Sequence, residues 1–395
     1  MKTRVIIFSL LLVSLLLSCN QSNVPDKYQA LVDQALANAG DNKAELEKAL
    51  NNVPKEQKEG VAFLIAYMPE VDLKSITGEY LLDNVDLAYK ARERFSWAKN
   101  IPDSIFLNDV LPYASVNELR DNWRFDFYTR FSSYVENCET LEEAVRAINK
   151  NIMDEVKVEY NTKRKKPDQS PSESMEIGMA SCTGLSILLV DAFRAVGIPA
   201  RMAGTAKWHD NRGNHTWCEV WLDGKWYFTE YYFEDLDRAW FIPDAGKAKL
   251  GDPIYAVYAT SFKPTDKHFP MVWARNITYV PAVDVSQHYI DVYNEINNQK
   301  KTDGNHVKMT VRMYKDKNNT KHSEDRVKVN VDVFMGNDQI GGGSTAGPTQ
   351  DMNDVLEFFV EKNKEYTLKY FPDGKSFENK VKVDNEPIDV VLYLE

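Results

Sequence analysis

The sequence predicts an α+β chain: a helical N-terminal region, a core in which one central helix packs on an antiparallel sheet, and a C-terminal all-β sandwich. Three observations carry this. Helical spacing of apolar residues dominates from about residue 24 to 155. An almost wholly apolar stretch after Cys182 is followed by alternating aromatic and β-branched residues around Asp223-Gly224. The last 90 or so residues alternate at period two between turn signals. With 43% hydrophobic and 12% aromatic residues in 395, the chain can bury more than one core.

The first nineteen residues are Met-Lys-Thr-Arg and then the apolar run "VIIFSLLLVSLLLSC", too short and too early for an ordinary membrane span and so a secretion signal. Its end, "LLSC", resembles a bacterial lipobox. The resemblance implies cleavage before Cys19, a diacylglyceryl group on the Cys19 sulfur, and an otherwise soluble protein held at a membrane by that lipid anchor. Residues 1–19 are therefore assigned to the signal. The short tether after Cys19 has no acidic cluster, which leaves an outer-membrane or periplasm-facing location open.

In the helical region, residues 24–155, "KYQALVDQALANAG" and "NKAELEKALNNVP" carry helical periodicity, and Asn42 with Glu45 has the spacing of a capping box. "EGVAFLIAYMP" reads as a more buried helix. A second capping box, Thr140 with Glu143, opens "TLEEAVRAINKNI". The segment "KRKKPDQSPSESM" (residues 163–175) is charged and without hydrophobic period, so a solvated loop bordering the core is expected there.

The core is assigned to residues 156–295. From Cys182 the polar residues thin to Ser186, Asp191 and Arg194 until Gly197 and Pro199 stop the helix, which is the pattern of a helix buried on most sides. "ARMAGTAKW" reads as a strand, and "HTWCEVWLDGKWYFTEYYF" as a hairpin turning at Asp223-Gly224. "NEINNQKKTDGNH" reads as a polar linker. The sandwich is assigned to residues 305–395, with antiparallel strands, and the Gly-rich "IGGGSTAGPT" is expected to be a flexible hairpin loop within it.

A formal net charge of −11 gives no broad cationic face, which argues against nucleic acid as a partner. Of four cysteines, Cys138, Cys182 and Cys218 remain once Cys19 carries lipid. An odd number in an exported chain leaves at least one thiol free, and spacing leaves a Cys138–Cys218 disulfide open.

Three residues suggest chemistry. Cys182 begins the central helix, where unpaired N–H groups and the helix dipole favour a thiolate. His215 opens the strand "HTWCEV". A two-residue turn at Asp223-Gly224 pairs residues whose numbers sum to 447, which makes Glu230 the diagonal neighbour of His215 on one sheet face. A carboxylate there can hold one imidazole nitrogen and leave the other for a nucleophile. The same count puts Glu219 and Glu234 on that face, farther along, and turns Thr216 and Cys218 away from it, so no metal site is expected from His215 and Cys218. No cofactor is expected.

These pieces, "SCTGLSILLVDAFRAVGIPARMAGT" with the helix exit "GIPAR" and "NHTWCEVWLDGKWYFTE", resemble the transglutaminase-like core of the papain-type cysteine enzymes. The resemblance implies Cys182 as nucleophile, His215 as base and Glu230 as the third residue, where the family usually has aspartate, one methylene shorter. It also implies an oxyanion hole, with the Cys182 N–H as one donor and an upstream side chain as the second, for which Trp123 and Asn122 are candidates by position in the chain. Together with the lipobox, "VLPY…NELRDNWR" (Val110 to Arg124) and "VPAVDVSQHY" (Val280 to Tyr289) resemble exported lipoproteins of Bacteroides-type bacteria carrying that core. The activity implied is cysteine-dependent acyl chemistry on a peptide or protein amide through a thioester, with hydrolysis favoured because water is the most abundant acceptor and no calcium loop is found. Transamidation, or a non-catalytic surface-binding lipoprotein retaining the fold, are the alternatives.

Overall fold

The computed structural model describes residues 23–211, 213–233, 235–350 and 352–394. The signal segment, Cys19 and Glu234 lie outside these. No helix among the described residues is long and apolar enough to cross a membrane.

Six longer helices, Asp26–Asn38, Lys43–Asn52, Lys58–Tyr67, Gly78–Arg94, Trp123–Val135 and Leu141–Val156, build the N-terminal region. The Thr140–Glu143 capping box is present. The one expected at Asn42 is not: Asn42 donates to the carbonyls of Leu73 and Ile76, and Glu45 accepts from the Gly78 N–H, so both side chains tie neighbouring segments together instead. The helical region is fixed to the core by Arg124. Its buried guanidinium donates to the last turn of the central helix at the Arg194 carbonyl (3.0 Å) and to the carbonyls of Val110 and Pro112 (both 2.9 Å). A cation at the last carbonyls of a helix also suits the dipole.

The central helix, Cys182–Ala195, is buried at every residue from Thr183 onward. It lies on a six-stranded antiparallel sheet in the order Lys225–Thr229, His215–Leu222, Ala200–Thr205, Tyr258–Thr260, Pro281–Asp284, Lys267–His268. The even-numbered side chains of the strand His215–Leu222 pack under the helix, with Cys218, Val220 and Leu222 in its hydrophobic cluster. Odd-numbered Trp217 belongs to a second cluster with Phe241 and Tyr289. The helix Ser286–Thr302 covers that side and runs through the stretch expected to be a linker. Its apolar first half is anchored by the fully buried Tyr289, and the polar second half continues helical with little of its surface buried.

Residues 163–175 also differ from expectation. Pro171–Ile177 is a helix with Pro at its first position and a Ser170–Glu173 capping box, and Asp168, Gln169 and Ser170 are buried. Polar composition hid a cap signal that was present in the residues themselves.

The C-terminal sandwich stacks a four-stranded sheet on a three-stranded one. It is not wholly antiparallel: the last strand, Ile388–Tyr393, enters beside His306–Tyr314 in the same direction. The first half of the Gly-rich segment lies in a strand, Asp338–Ser344, paired with Asn330–Met335. A Cβ on Gly343 would sit 2.6 Å from a Leu356 methyl and one on Gly341 3.2 Å from the Phe358 ring, so these glycines let a strand approach bulky neighbours closely.

Candidate active site

Cys182 is the first residue of its helix because Ser181 caps it: the Ser181 hydroxyl accepts from the Gly184 N–H (3.0 Å) and donates to the Pro167 carbonyl (2.6 Å). This cap spends one of the orphan N–H groups and anchors the 163–181 segment over the helix start. The Cys182 and Thr183 N–H groups have no partner among the described residues and remain available to an oxyanion.

The hairpin turn has Asp223 at φ 48° and Gly224 at φ 92°, the positive values of a two-residue turn suited to twisted strands. Its register runs from Leu222–Lys225 to Cys218–Thr229, the pairs summing to 447. Glu230 follows the last paired residue and reaches back diagonally to His215, with 2.5 Å between His215 Nε2 and Glu230 Oε1. The backbone of Glu230 is held in turn by Asn149, whose amide donates to its carbonyl at 2.9 Å. With Nε2 engaged by Glu230, the His215 ring and the Cys182 sulfur lie close enough for each to shift the other's titration. The three side chains thus form one continuous line, sulfur to imidazole to carboxylate. His215 and Glu230 are nearly buried, with side chains 12% and 14% exposed, and Cys182 is half-buried rather than sealed.

Electrostatics follow from this geometry. Burial alone pushes the Cys182 thiol up, but the hydrogen bond and charge of His215, with further hydrogen bonds from Thr216, outweigh it and bring the thiol down to about 6. Burial likewise opposes the His215 cation, yet the Glu230 carboxylate and the Cys182 sulfur raise the imidazole to about 10. Between those values the pair is thiolate and imidazolium. The other thiols go the opposite way: burial raises Cys138, and raises the fully buried Cys218 well above the ordinary range. All three are free, so no Cys138–Cys218 disulfide forms.

Thr216 was read from the hairpin as facing away from His215. It does face the helix side, where its hydroxyl lies 3.1 Å from that of Thr183, and there it meets the Cys182 sulfur from beneath. Strand alternation shows which face a residue takes but not that the helix begins over the strand end. Thr216→Val is expected to raise the Cys182 thiol and move the acid limb of its alkylation rate to higher pH, leaving the rate at pH 9 little changed. Stopped-flow or mass-spectrometric alkylation across pH checks this.

Aromatic rings enclose the imidazole: Trp240, Phe241 and Trp217 have centroids 5.0, 5.4 and 5.6 Å from that of His215. They exclude water and offer their faces to a cation. Beneath them, Trp217 donates to Tyr289, Tyr289 donates to Glu219 (both 2.7 Å), and Arg201 pairs with the other Glu219 oxygen at 2.7 Å. Glu219 therefore serves a buried structural network. Sequence reasoning missed Trp240, Phe241 and Asn149, which have no local motif and reach the site only through tertiary packing.

The structure does not bring the two upstream oxyanion candidates to the sulfur. The Trp123 indole N–H is given to the Tyr113 carbonyl at 2.8 Å and its ring is buried in the helical core, and Asn122 is exposed at the start of that helix. Among the described residues no hydrogen bond joins either to Cys182. For metal binding, the described residues offer one group of three, His209, Asp210 and Asp244, with potential ligand atoms within 4.8 Å of one another. Both carboxylates already have interactions, Asp210 accepting from the Ser344 hydroxyl, so this is not a vacant cage.

Residues 129–231, which contain Cys182, His215 and Glu230, match the family model of the Transglutaminase-like superfamily. This segment is a transglutaminase-like core within the α+β chain. Among solved structures the chain is similar to a candidate cysteine protease from Cytophaga hutchinsonii, at 17% identity and a TM-score of 0.28 over 35% of this chain and 45% of that one. It is also similar to red sea bream transglutaminase, at 10% identity and a TM-score of 0.30 over 72% of this chain and 64% of that one. The chain thus spans less than two thirds of the length of either. No curated protein matches it in sequence.

Proposed function

We propose that this chain is a cysteine-dependent hydrolase of peptide-like amides. The observation that carries the reading is His215 held between the Cys182 sulfur and the Glu230 carboxylate, at a helix start with unspent N–H groups. The Cys182 thiolate attacks the amide carbonyl, and the oxyanion that forms lies toward the Cys182 N–H. His215, already imidazolium, gives its proton to the leaving amine as the C–N bond breaks, leaving a thioester and a neutral imidazole. Neutral His215 then takes a proton from water, the hydroxide adds to the thioester, and the acid departs as the thiolate is restored. Glu230 holds the ring by Nε2 throughout and stabilises its charged form. In the same reading the protein is held at the bacterial envelope by lipid on Cys19, supported by the apolar segment that precedes it.

The test is a peptide-amide library with mass-spectrometric readout. The native protein is expected to release free acids and to show, on rapid acid quench, a thioester adduct on the peptide containing Cys182. Cys182→Ala is expected to lose turnover by about 10⁵–10⁶-fold and to show no adduct. Turnover that survives in Cys182→Ala would contradict the proposal.

A further inference from the structure

The loop that joins the strands Ala200–Thr205 and His215–Leu222 carries Trp208. Its buried ring stacks on that of Trp217 at 6.2 Å and stands 6.2 Å from the His215 ring. It also lies 6.3 Å from both the Trp240 and the Phe241 rings, so it backs the aromatic wall around the imidazole. Three backbone bonds hold the loop from within: Lys207 donates to the Ile254 carbonyl (3.1 Å), Trp208 to that of Gly213 (3.0 Å) and Asn211 to that of Trp208 (2.9 Å).

The two residues after Trp208 reach other parts of the chain. His209 Nε2 lies 3.7 Å from the carboxylate of Asp244, in the short helix Ile242–Ala245 that follows Trp240 and Phe241 directly. Buried Asp210 accepts from the hydroxyl of Ser344, 134 residues on and in the sandwich, at 3.1 Å. The Asn330 side chain, 2.7 Å from the same hydroxyl, anchors Ser344 to the neighbouring strand. Ser344 ends the strand Asp338–Ser344, which lies at the edge of its sheet and packs on the helix Ile242–Ala245. A Cβ on Gly341 would stand 3.8 Å from the Pro243 ring, so the absence of side chains at Gly341–Gly343 lets this strand come close to the core. One sandwich strand therefore touches both of the segments, the Trp208 loop and the stretch from Trp240 to Ala245, that bring rings to His215 from beyond its own strand.

We infer that Ser344 is a positioning residue of the candidate active site, and that the sandwich, through the strand ending there, is a strut that keeps the aromatic wall closed on His215. Ser344 acts through Asp210 and the loop, and meets neither the sulfur nor the imidazole. With the loop held, Trp208 keeps its neighbours against the ring, and the attraction of His215 for Glu230 and for the thiolate works in a site from which water is excluded. With the loop loose, the ring is free to leave the line between sulfur and carboxylate. The inference rests on the Cys182–His215 pair described above and gives the C-terminal domain a part in it, whichever amide is cut.

The experiment uses the full chain and three variants. Ser344→Asp sets a second carboxylate against Asp210 and drives the contact apart, whereas Ser344→Thr keeps the hydroxyl. Gln339→Glu is the matched control: Gln339 donates to Asp332 at 3.2 Å at the other end of the same strand, so the new charge strains the sandwich there without touching the loop. Two readouts are taken, hydrogen exchange of peptides covering Lys207 to Asn211 and the pH dependence of Cys182 alkylation. In Ser344→Asp the loop amides are expected to exchange at least about tenfold faster. Its alkylation should be about fivefold slower at pH 6 and unchanged at pH 9, because a less firmly held imidazolium raises the thiol and moves the acid limb to higher pH. Ser344→Thr and Gln339→Glu should follow the native protein in both. Native exchange in a folded Ser344→Asp protein, faster exchange with an unmoved acid limb, or a limb moved as far by Gln339→Glu would each overturn the inference. If Ser344→Asp does not fold, Ser344→Ala takes its place, with smaller changes of the same sign expected and none in Ser344→Thr. The pair and the strut fail separately: an ordinary Cys182 thiol in the native protein sinks the pair, and a native thiolate at pH 6 that the Ser344 variants leave untouched sinks the strut alone.

Discussion

Glu230→Gln is expected to lower amide turnover by about 10²–10⁴-fold while leaving the protein folded. The physical cause is double. The carboxylate contributes the largest favourable charge to the His215 imidazolium, against the burial that opposes it. It also fixes the ring through Nε2. A neutral amide keeps the shape and loses the charge, so His215 should give up its proton well below its present value of about 10. The sign of the pH effect follows: the alkaline limb of the turnover profile, where imidazolium is lost, moves to lower pH and narrows the active window from above. Glu230→Asp, which shortens the reach by one methylene, is expected to keep the charge and to lose activity through distance alone. A turnover profile unchanged in Glu230→Gln would mean that the carboxylate is a bystander.

The second large effect is on the sulfur. His215→Ala removes the hydrogen bond and the charge that outweigh burial at Cys182, and leaves Thr216 as its one remaining named donor. The thiol should then rise toward or beyond an ordinary value. At pH 7 the thiolate would fall from roughly nine-tenths of molecules to about one in a hundred, and alkylation would slow by nearly that ratio. Iodoacetamide labelling followed by peptide mapping measures it. Labelling in His215→Ala as fast as in the native protein would show that the imidazole does not set the state of the thiol.

Much of this site was legible in the sequence because the information was local. Asp223-Gly224 fixed a register, the register placed Glu230 diagonally from His215, and the Ser181-Cys182 start of an apolar run placed the sulfur at a helix N-terminus. The residues that were missed depend on packing between segments far apart in the chain. Thr216 meets the sulfur because a helix start overlies a strand end, Asn149 holds Glu230 from a helix 81 residues earlier, and Trp240 closes on His215 from a loop beyond the hairpin. Trp123 shows the reverse error: position in the chain suggested an indole donor, but its N–H is already given to Tyr113. In the sandwich, the run of glycines reads as a loop until Leu356 and Phe358 are seen opposite it, and then reads as a strand with room made for them.

The central claim is a thiolate maintained near neutrality by a buried imidazolium, and the pH dependence of Cys182 alkylation in the native protein tests it most directly. The predicted result is a rate that rises through an apparent pKa near 6 and is already flat by pH 8, with Cys138 and Cys218 slow throughout that range. A Cys182 rate that still climbs through pH 8 to 9, in step with an ordinary thiol, would contradict it.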